Sequence, residues 1–195
     1  YKRQGRLWVD NIKNVEKLKN IKITVTDISE GMVNDARRNI GNGMFDYGVA
    51  DCMNLPFDDN SFDCVIANHV IFYCEEPGKA FKEIKRVLKP GGKAVFSTYG
   101  SHHMQEIAQL VNQFDKRIVL SADVLYEKFG LDNGERLLKK YFNKVDKRLY
   151  DDYLLVDVAE PIIEYILSCH GNQNHYLLDR YSAVSYTHLR AHETD

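Results

Sequence analysis

Four short apolar or β-branched runs, IKITVTD (21–27), FDYGVAD (45–51), CVIANHV (64–70) and KAVFSTYG (93–100), set the frame of this chain. Between the first and second lies EGMVNDARRNI, and between the third and fourth a stretch from Pro77 with Ala80, Phe81, Ile84, Val87 and Leu88 on one helical face. The second and third runs are joined by NLPFDDNSFD, a loop composition. Strands that alternate with helices call for an α/β fold with a parallel sheet and helices on both faces.

Local signals sharpen the boundaries. GRLWVDNIKNVEKLKN places Trp8, Ile12, Val15 and Leu18 at near-helical spacing and predicts an amphipathic helix. Ser29 is placed to cap the helix EGMVNDARRNI, and the glycines of GNG to end it. KPGG predicts a turn into the fourth run. After Gly100 the pattern changes. MQEIAQLVNQF, DVLYEKFG, ERLLKKYF and AEPIIEYILSC read as helices, and VDKRLYDDYLLV as two short strand-like halves, 145–149 and 153–156.

The chain has 195 residues, 44% hydrophobic and 28% charged, which suits one globular α/β domain. A net charge of -2 gives no electrostatic reason to expect a nucleic-acid or membrane partner. No apolar run is long enough to span a bilayer. Cys52, Cys64, Cys74 and Cys169 form no CxxC pair, which predicts a reduced, cytoplasmic setting, and the seven histidines show no metal-binding spacing.

The two ends read differently from the rest. VSYTHLRAHET, residues 184–194, equals one reading frame of a transposon end used as a sequencing adapter, and YKRQ, residues 1–4, equals a frame of its reverse complement. Residues 1–4 and 184–195 are therefore expected to be translated scars. Residues 5–100 would then be an incomplete core, and residues 101–183 the helical and short-strand completion of the same domain.

In doubly wound sheets ligands bind at the carboxyl ends of the strands. Asp27 and Asp51 end the first two runs, where a carboxylate can accept from ribose hydroxyls or from an exocyclic amine. The alternatives are a helix-capping acid for Asp27 and a turn former for Asp51. The larger set, VADCMNLPFDDNSFDCVIANHV, AFKEIKRVLKPGGKAVFS and TDISEGM, resembles the class I S-adenosylmethionine-dependent methyltransferases related to quinone biosynthesis. That resemblance covers residues 5 to about 100. It implies a Rossmann-like, doubly wound, mostly parallel sheet whose first strand is missing, since IKITVTD corresponds to the family's second strand.

The resemblance also implies a cofactor, S-adenosyl-L-methionine, and residues that hold it. Gly5 would be the last glycine of the family's glycine-rich loop. Asp27 would take the ribose hydroxyls, and Ile28 would pack on the adenine. Asp51 and the Cys52 N–H would meet the adenine edge, and Asn68 the methionine part. Leu55 and Phe57 would close over the adenine or else fill the core beneath a loop. Methyl transfer from a sulfonium needs alignment above all, an effect worth roughly 7–11 kcal/mol. A general base enters only if the acceptor must lose a proton. His102 and His103 are first choice for base or acceptor contact, with His69, Tyr73 and Tyr99 also at strand ends. The alternative for His102 and His103 is the exposed first turn of a helix.

The expected function is methyl transfer to a small-molecule acceptor, with the aromatic segment after Gly100 on the acceptor side. Two rivals stand beside it: a nicotinamide-dependent oxidoreductase, and a non-catalytic member of the same fold that binds cofactor or a partner. LKPGG and LPFDDNSFD speak against the first. The chain as written is expected neither to bind the cofactor nor to unfold cooperatively. A buried central strand contributes several side chains worth roughly 1.5–3 kcal/mol each, against a domain stability of about 5–15 kcal/mol.

Overall fold

The computed structural model describes residues 5–18, 20–121, 124–150 and 153–177. They fall in two compact units that divide between Ser97 and Thr98. Residues 1–4 and 184–195, expected to be translated scars, lie outside the described residues.

The first unit is α/β. Its order is α1 (Arg6–Val15), β1 (Ile23–Asp27), α2 (Glu30–Ile40), β2 (Phe45–Val49), β3 (Phe62–Asn68), a 3-10 turn (Ile71–Tyr73), α3 (Pro77–Val87) and β4 (Leu88–Ser97). The N-terminal helix is shorter than its apolar spacing suggests. Leu18 N–H turns back to Val15 O at 2.9 Å, and Leu18 lies exposed beyond the helix. α2 begins where expected: Ser29 Oγ accepts from the Met32 N–H at 3.4 Å, and Gly41 with a φ of 87° closes the other end.

The parallel strands are joined in two pairs. β1 pairs with β2 from Ile23↔Phe45 to Asp27↔Val49, and β3 pairs with β4 up to Asn68↔Ser97. Among the described residues no ladder joins the pairs, so the expected doubly wound sheet stands as two parallel two-stranded sheets. The expected turn KPGG lies inside β4 as an outward loop. Phe62 opposes Leu88 and Cys64 opposes Lys93, so residues 89–92 bulge out, with Gly91 at a φ of 81° that a side chain would strain.

The best-packed part of this unit is α3. Proline at its first turn is preset for a helix, and Ala80, Phe81, Ile84 and Val87, spaced three and four apart, are all buried. Phe81 meets Phe96 of β4 edge to face, centroids 5.7 Å apart, and Ile71 and Phe72 of the 3-10 turn are buried as well.

The second unit is helical: α4 (Gln105–Phe114), α5 (Leu125–Lys128), α6 (Gly134–Leu138), α7 (Glu160–Ser168) and α8 (Gln173–Leu177). Val111, Ile118 and Ile166 form its core, with Ile107, Phe114, Leu120, Ile162, Tyr176 and Leu177 packed around. The strand-like halves expected at 145–149 and 153–156 form no strand among the described residues. Leu149, Tyr150, Tyr153, Leu154 and Leu155 are exposed there, for no neighbouring strand offers a ladder to the period-two pattern.

Candidate functional site

The carboxyl ends of β1 and β2 lie side by side, because parallel neighbours run about 4.8 Å apart. Asp27 is the last residue of β1, and its Oδ1 accepts from the Ser29 N–H at 2.9 Å. Asp51 stands two residues past β2, and its Oδ1 accepts from the Met53 N–H at 2.8 Å. Each carboxylate is thus braced by its own turn. The helix-cap and turn alternatives are both met in this geometry. Ile28, just past Asp27, is 68% exposed, an apolar side chain held in solvent at a strand tip.

Asn68 ends β3, opposite Ser97 at the end of β4. Ser97 Oγ donates to Asn68 Oδ1 and accepts from the His69 N–H at 3.1 Å. His69 itself sits at a φ of 50°, a left-handed conformation that turns the chain sharply out of the strand. Its ring lies 6.1 Å from that of Phe72. Tyr73, at the end of the 3-10 turn, is exposed.

Gly5 caps the start of α1 at a φ of 76°. A Cβ there would meet Ile40 Cδ1 at 2.6 Å, so both the backbone conformation and the approach to α2 require glycine.

The loop after Asp51 is held by α3. Arg86 donates to Leu55 O at 2.9 Å, to Phe57 O at 2.7 Å and to Asp59 Oδ1 at 2.8 Å, while its Nε and Nη2 donate to the two carboxylate oxygens of Glu83. Glu83 Oε2 also accepts from the Leu55 N–H at 2.9 Å. The Arg86 guanidinium holds the Glu83 carboxyl below the usual carboxylate range. Phe57 packs edge to face on Phe62 with centroids 4.9 Å apart, so its ring is part of the packing beneath the loop. Cys52, half-buried, lies with its Sγ 3.2 Å from that of Cys74. Hydrogen bonding with Cys74, then burial, pushes the Cys52 thiol well above its ordinary range.

The second unit carries the other histidines. His102 and His103 lie in the turn before α4, one step earlier than the first helical turn expected for them, because Met104 with a φ of 56° delays the helix start. Both are exposed. His102 Nδ1 is 3.3 Å from Ser101 Oγ, and the His103 ring lies 4.8 Å from that of Tyr99.

The structure therefore brings Asp27, Ile28, Asp51 and Cys52 to one pair of strand ends, and Asn68 and His69 to the other. Sequence reasoning missed three partners of these residues: Ser97, the Arg86–Glu83 clamp and Cys74. Arg86 and Glu83 carried a faint signal, an acid and a base three residues apart on α3. Cys74 carried none.

Comparison with known proteins gives a consistent picture. Residues 10–96 match the family model described as a methyltransferase domain. Over 80 residues the chain is 39% identical to a demethylmenaquinone methyltransferase of Clavibacter sepedonicus, covering 40% of this chain and 33% of that protein. Over 91 residues it is 44% identical to a malonyl-[acyl-carrier protein] O-methyltransferase of Marinomonas, covering 47% and 27%. A protein from Pyrococcus horikoshii of solved structure is 26% identical, with 69% of this chain and 68% of that one covered and a TM-score of 0.48. The chain spans about a third of the length of the curated relatives it matches.

Proposed function

We propose that this chain, whose residues 10–96 match a methyltransferase-domain model, is part of a class I S-adenosylmethionine-dependent methyltransferase, and that the whole protein moves the methyl group of S-adenosyl-L-methionine onto a small-molecule acceptor. The observation that carries this reading is the pair of braced carboxylates at adjacent parallel strand ends, Asp27 and Asp51. Each uses Oδ1 for its own turn, which leaves Oδ2 to accept from a ligand. Vicinal hydroxyls at one strand tip and an amine at the next are what a nucleoside offers such a pair.

The residues fit the cofactor in their donor chemistry. Asp27 would hold the ribose hydroxyls, Ile28 would give the adenine an apolar face, and Asp51 with the Cys52 N–H would take the adenine edge. Asn68, turned by Ser97, would meet the methionine part, and Gly5 would end the loop that passes beneath it. The bound cofactor supplies an already activated methyl group. This chain's part is to orient it, exclude water and, where the acceptor carries a proton, take that proton at His102, His103 or His69. The demethylmenaquinone named for one relative supports a small-molecule acceptor here.

Calorimetric titration of the whole protein with S-adenosylmethionine and with NADH tests the function. Binding of the first alone is expected, and Asp27→Ala should weaken it by about 1.5–3 kcal/mol, since hydrogen bonds to a charged acceptor are lost. Equal affinity in wild type and variant, with the fold intact, or preference for NADH, would overturn the assignment.

A further inference from the structure

Cys52 and Cys74 stand 22 residues apart and share no motif, yet their Sγ atoms lie 3.2 Å from each other. Both are fixed by local backbone. Cys52 sits in the turn whose next residue, Met53, gives its N–H to Asp51. Cys74 closes the 3-10 turn after β3, with its N–H on Ile71 O at 3.1 Å. Neither is joined in a disulfide, and Cys52 is half-buried while Cys74 is buried. The geometry points to a redox modification site: Cys52 and Cys74 form a dithiol that a peroxide or a small-molecule disulfide closes to a disulfide, tying the turn after β2 to the turn after β3.

The sulfurs need to approach by about 1 Å to reach the bond length of about 2.05 Å. With hydrogen peroxide, the Cys52 thiolate attacks one oxygen and breaks the O–O bond. The other oxygen leaves as hydroxide and takes up the proton shed by the thiol, giving water and a Cys52 sulfenic acid. Cys74 Sγ then attacks Cys52 Sγ and expels the hydroxyl, which leaves as water with the Cys74 proton. Two thiols lose two electrons and two protons, and one peroxide becomes two waters. Cys52 is the entry point because it is the more exposed of the two.

Such a link would fix Asp51 and its turn relative to the segment that follows Asn68 and His69. It stands independently of which ligand those residues hold.

The test uses the full chain, reduced and then exposed to hydrogen peroxide or oxidised glutathione, in buffer and in concentrated urea. Peptide mapping under non-reducing conditions reads out the linkages among Cys52, Cys64, Cys74 and Cys169. Proximity raises the effective concentration of the pair, so the Cys52–Cys74 link is expected about tenfold or more over any other pairing in buffer. That preference should vanish in urea, and dithiothreitol should reverse the link. In Cys74→Ser the same treatment should leave Cys52 as a glutathione mixed disulfide. Equal linkage patterns in buffer and urea would overturn the proposal. So would a wild-type protein that collects glutathione on Cys52 while Cys74 stays a free thiol.

Discussion

α3 and the segment 143–158 are built from similar side chains and treat them in opposite ways. In α3, Phe81, Ile84 and Val87 are no more than 1% exposed. In the segment, Leu155 is 89% exposed and Tyr150 and Tyr153 nearly as much. Composition does not separate the two. In α3 the apolar residues repeat at the period of the element itself and face β4 and the 3-10 turn, so one face is buried at once. The segment has a period-two pattern, and such a pattern buries nothing until another strand offers a ladder. What decides burial is whether a partner matches the period.

Four changes would break or sharpen this contrast. The largest effect is expected for Phe81→Ala. It removes a fully buried ring that meets Phe96 edge to face, and losses of about 3–5 kcal/mol are usual for such a truncation. Urea unfolding monitored by circular dichroism would read it, and a loss below about 1 kcal/mol would deny α3 its place as the centre of the first unit.

Gly171→Ala comes next and probes packing of another kind. A Cβ at this position would run into the backbone of Val119 and Leu120. The neighbouring Asn172 clamps the same segment, with Oδ1 accepting from the Val119 N–H at 2.7 Å and Nδ2 donating to Arg117 O at 2.9 Å. Overpacking against backbone should cost about 1–3 kcal/mol, read by the same unfolding measurement. A neutral result would show that residues 117–120 can move aside.

The Arg86–Glu83 clamp gives a smaller, pH-dependent effect. The Glu83 carboxyl is held below its ordinary value of 4.5, first by its hydrogen bond to Arg86. A group whose pKa is depressed in the fold favours the fold above its unfolded pKa and loses that advantage as pH falls through the folded value. The clamp should therefore contribute fully at neutral pH and fade as the solution is acidified below about pH 4.5. Melting curves between pH 6 and 3 should fall less steeply for Glu83→Gln than for wild type. Parallel curves would mean that the carboxylate contributes no pH-dependent stability.

The smallest effect is expected for Leu155→Ala, within about 0.5 kcal/mol, because the side chain already lies in solvent. A loss above about 1 kcal/mol would show that the segment is packed in solution, and would remove the contrast with α3.

Much of the first unit was legible in its sequence. The buried face of α3, the Ser29 cap, the glycine end of α2 and the acids at the tips of β1 and β2 all depend on neighbours within a few residues. So does the aim of Asp27 and Asp51, since each is braced two residues on. The extension of α1 to Leu18 and the strand-like halves 145–149 and 153–156 were misjudged for the same physical reason. An apolar pattern states what an element could bury, and Leu18, Leu154 and Leu155 have the pattern without the burial.

By itself, then, the sequence determined the α/β alternation, the parallel strands and the carboxylates at their ends, because period, caps and turn chemistry act locally. Tertiary structure alone decided the rest. Arg86 reaches Phe57 O and Leu55 O across 29 and 31 residues, Cys52 meets Cys74 across 22, and Asn172 grips Val119 across 53. No local signal encodes such pairs. Those of the first unit exist because the packed α3 face and the β1–β2 and β3–β4 ladders carry distant backbone and side-chain atoms to within reach of one another, and that of the second because its own helical core of Val111, Ile118 and Ile166 draws its segments together.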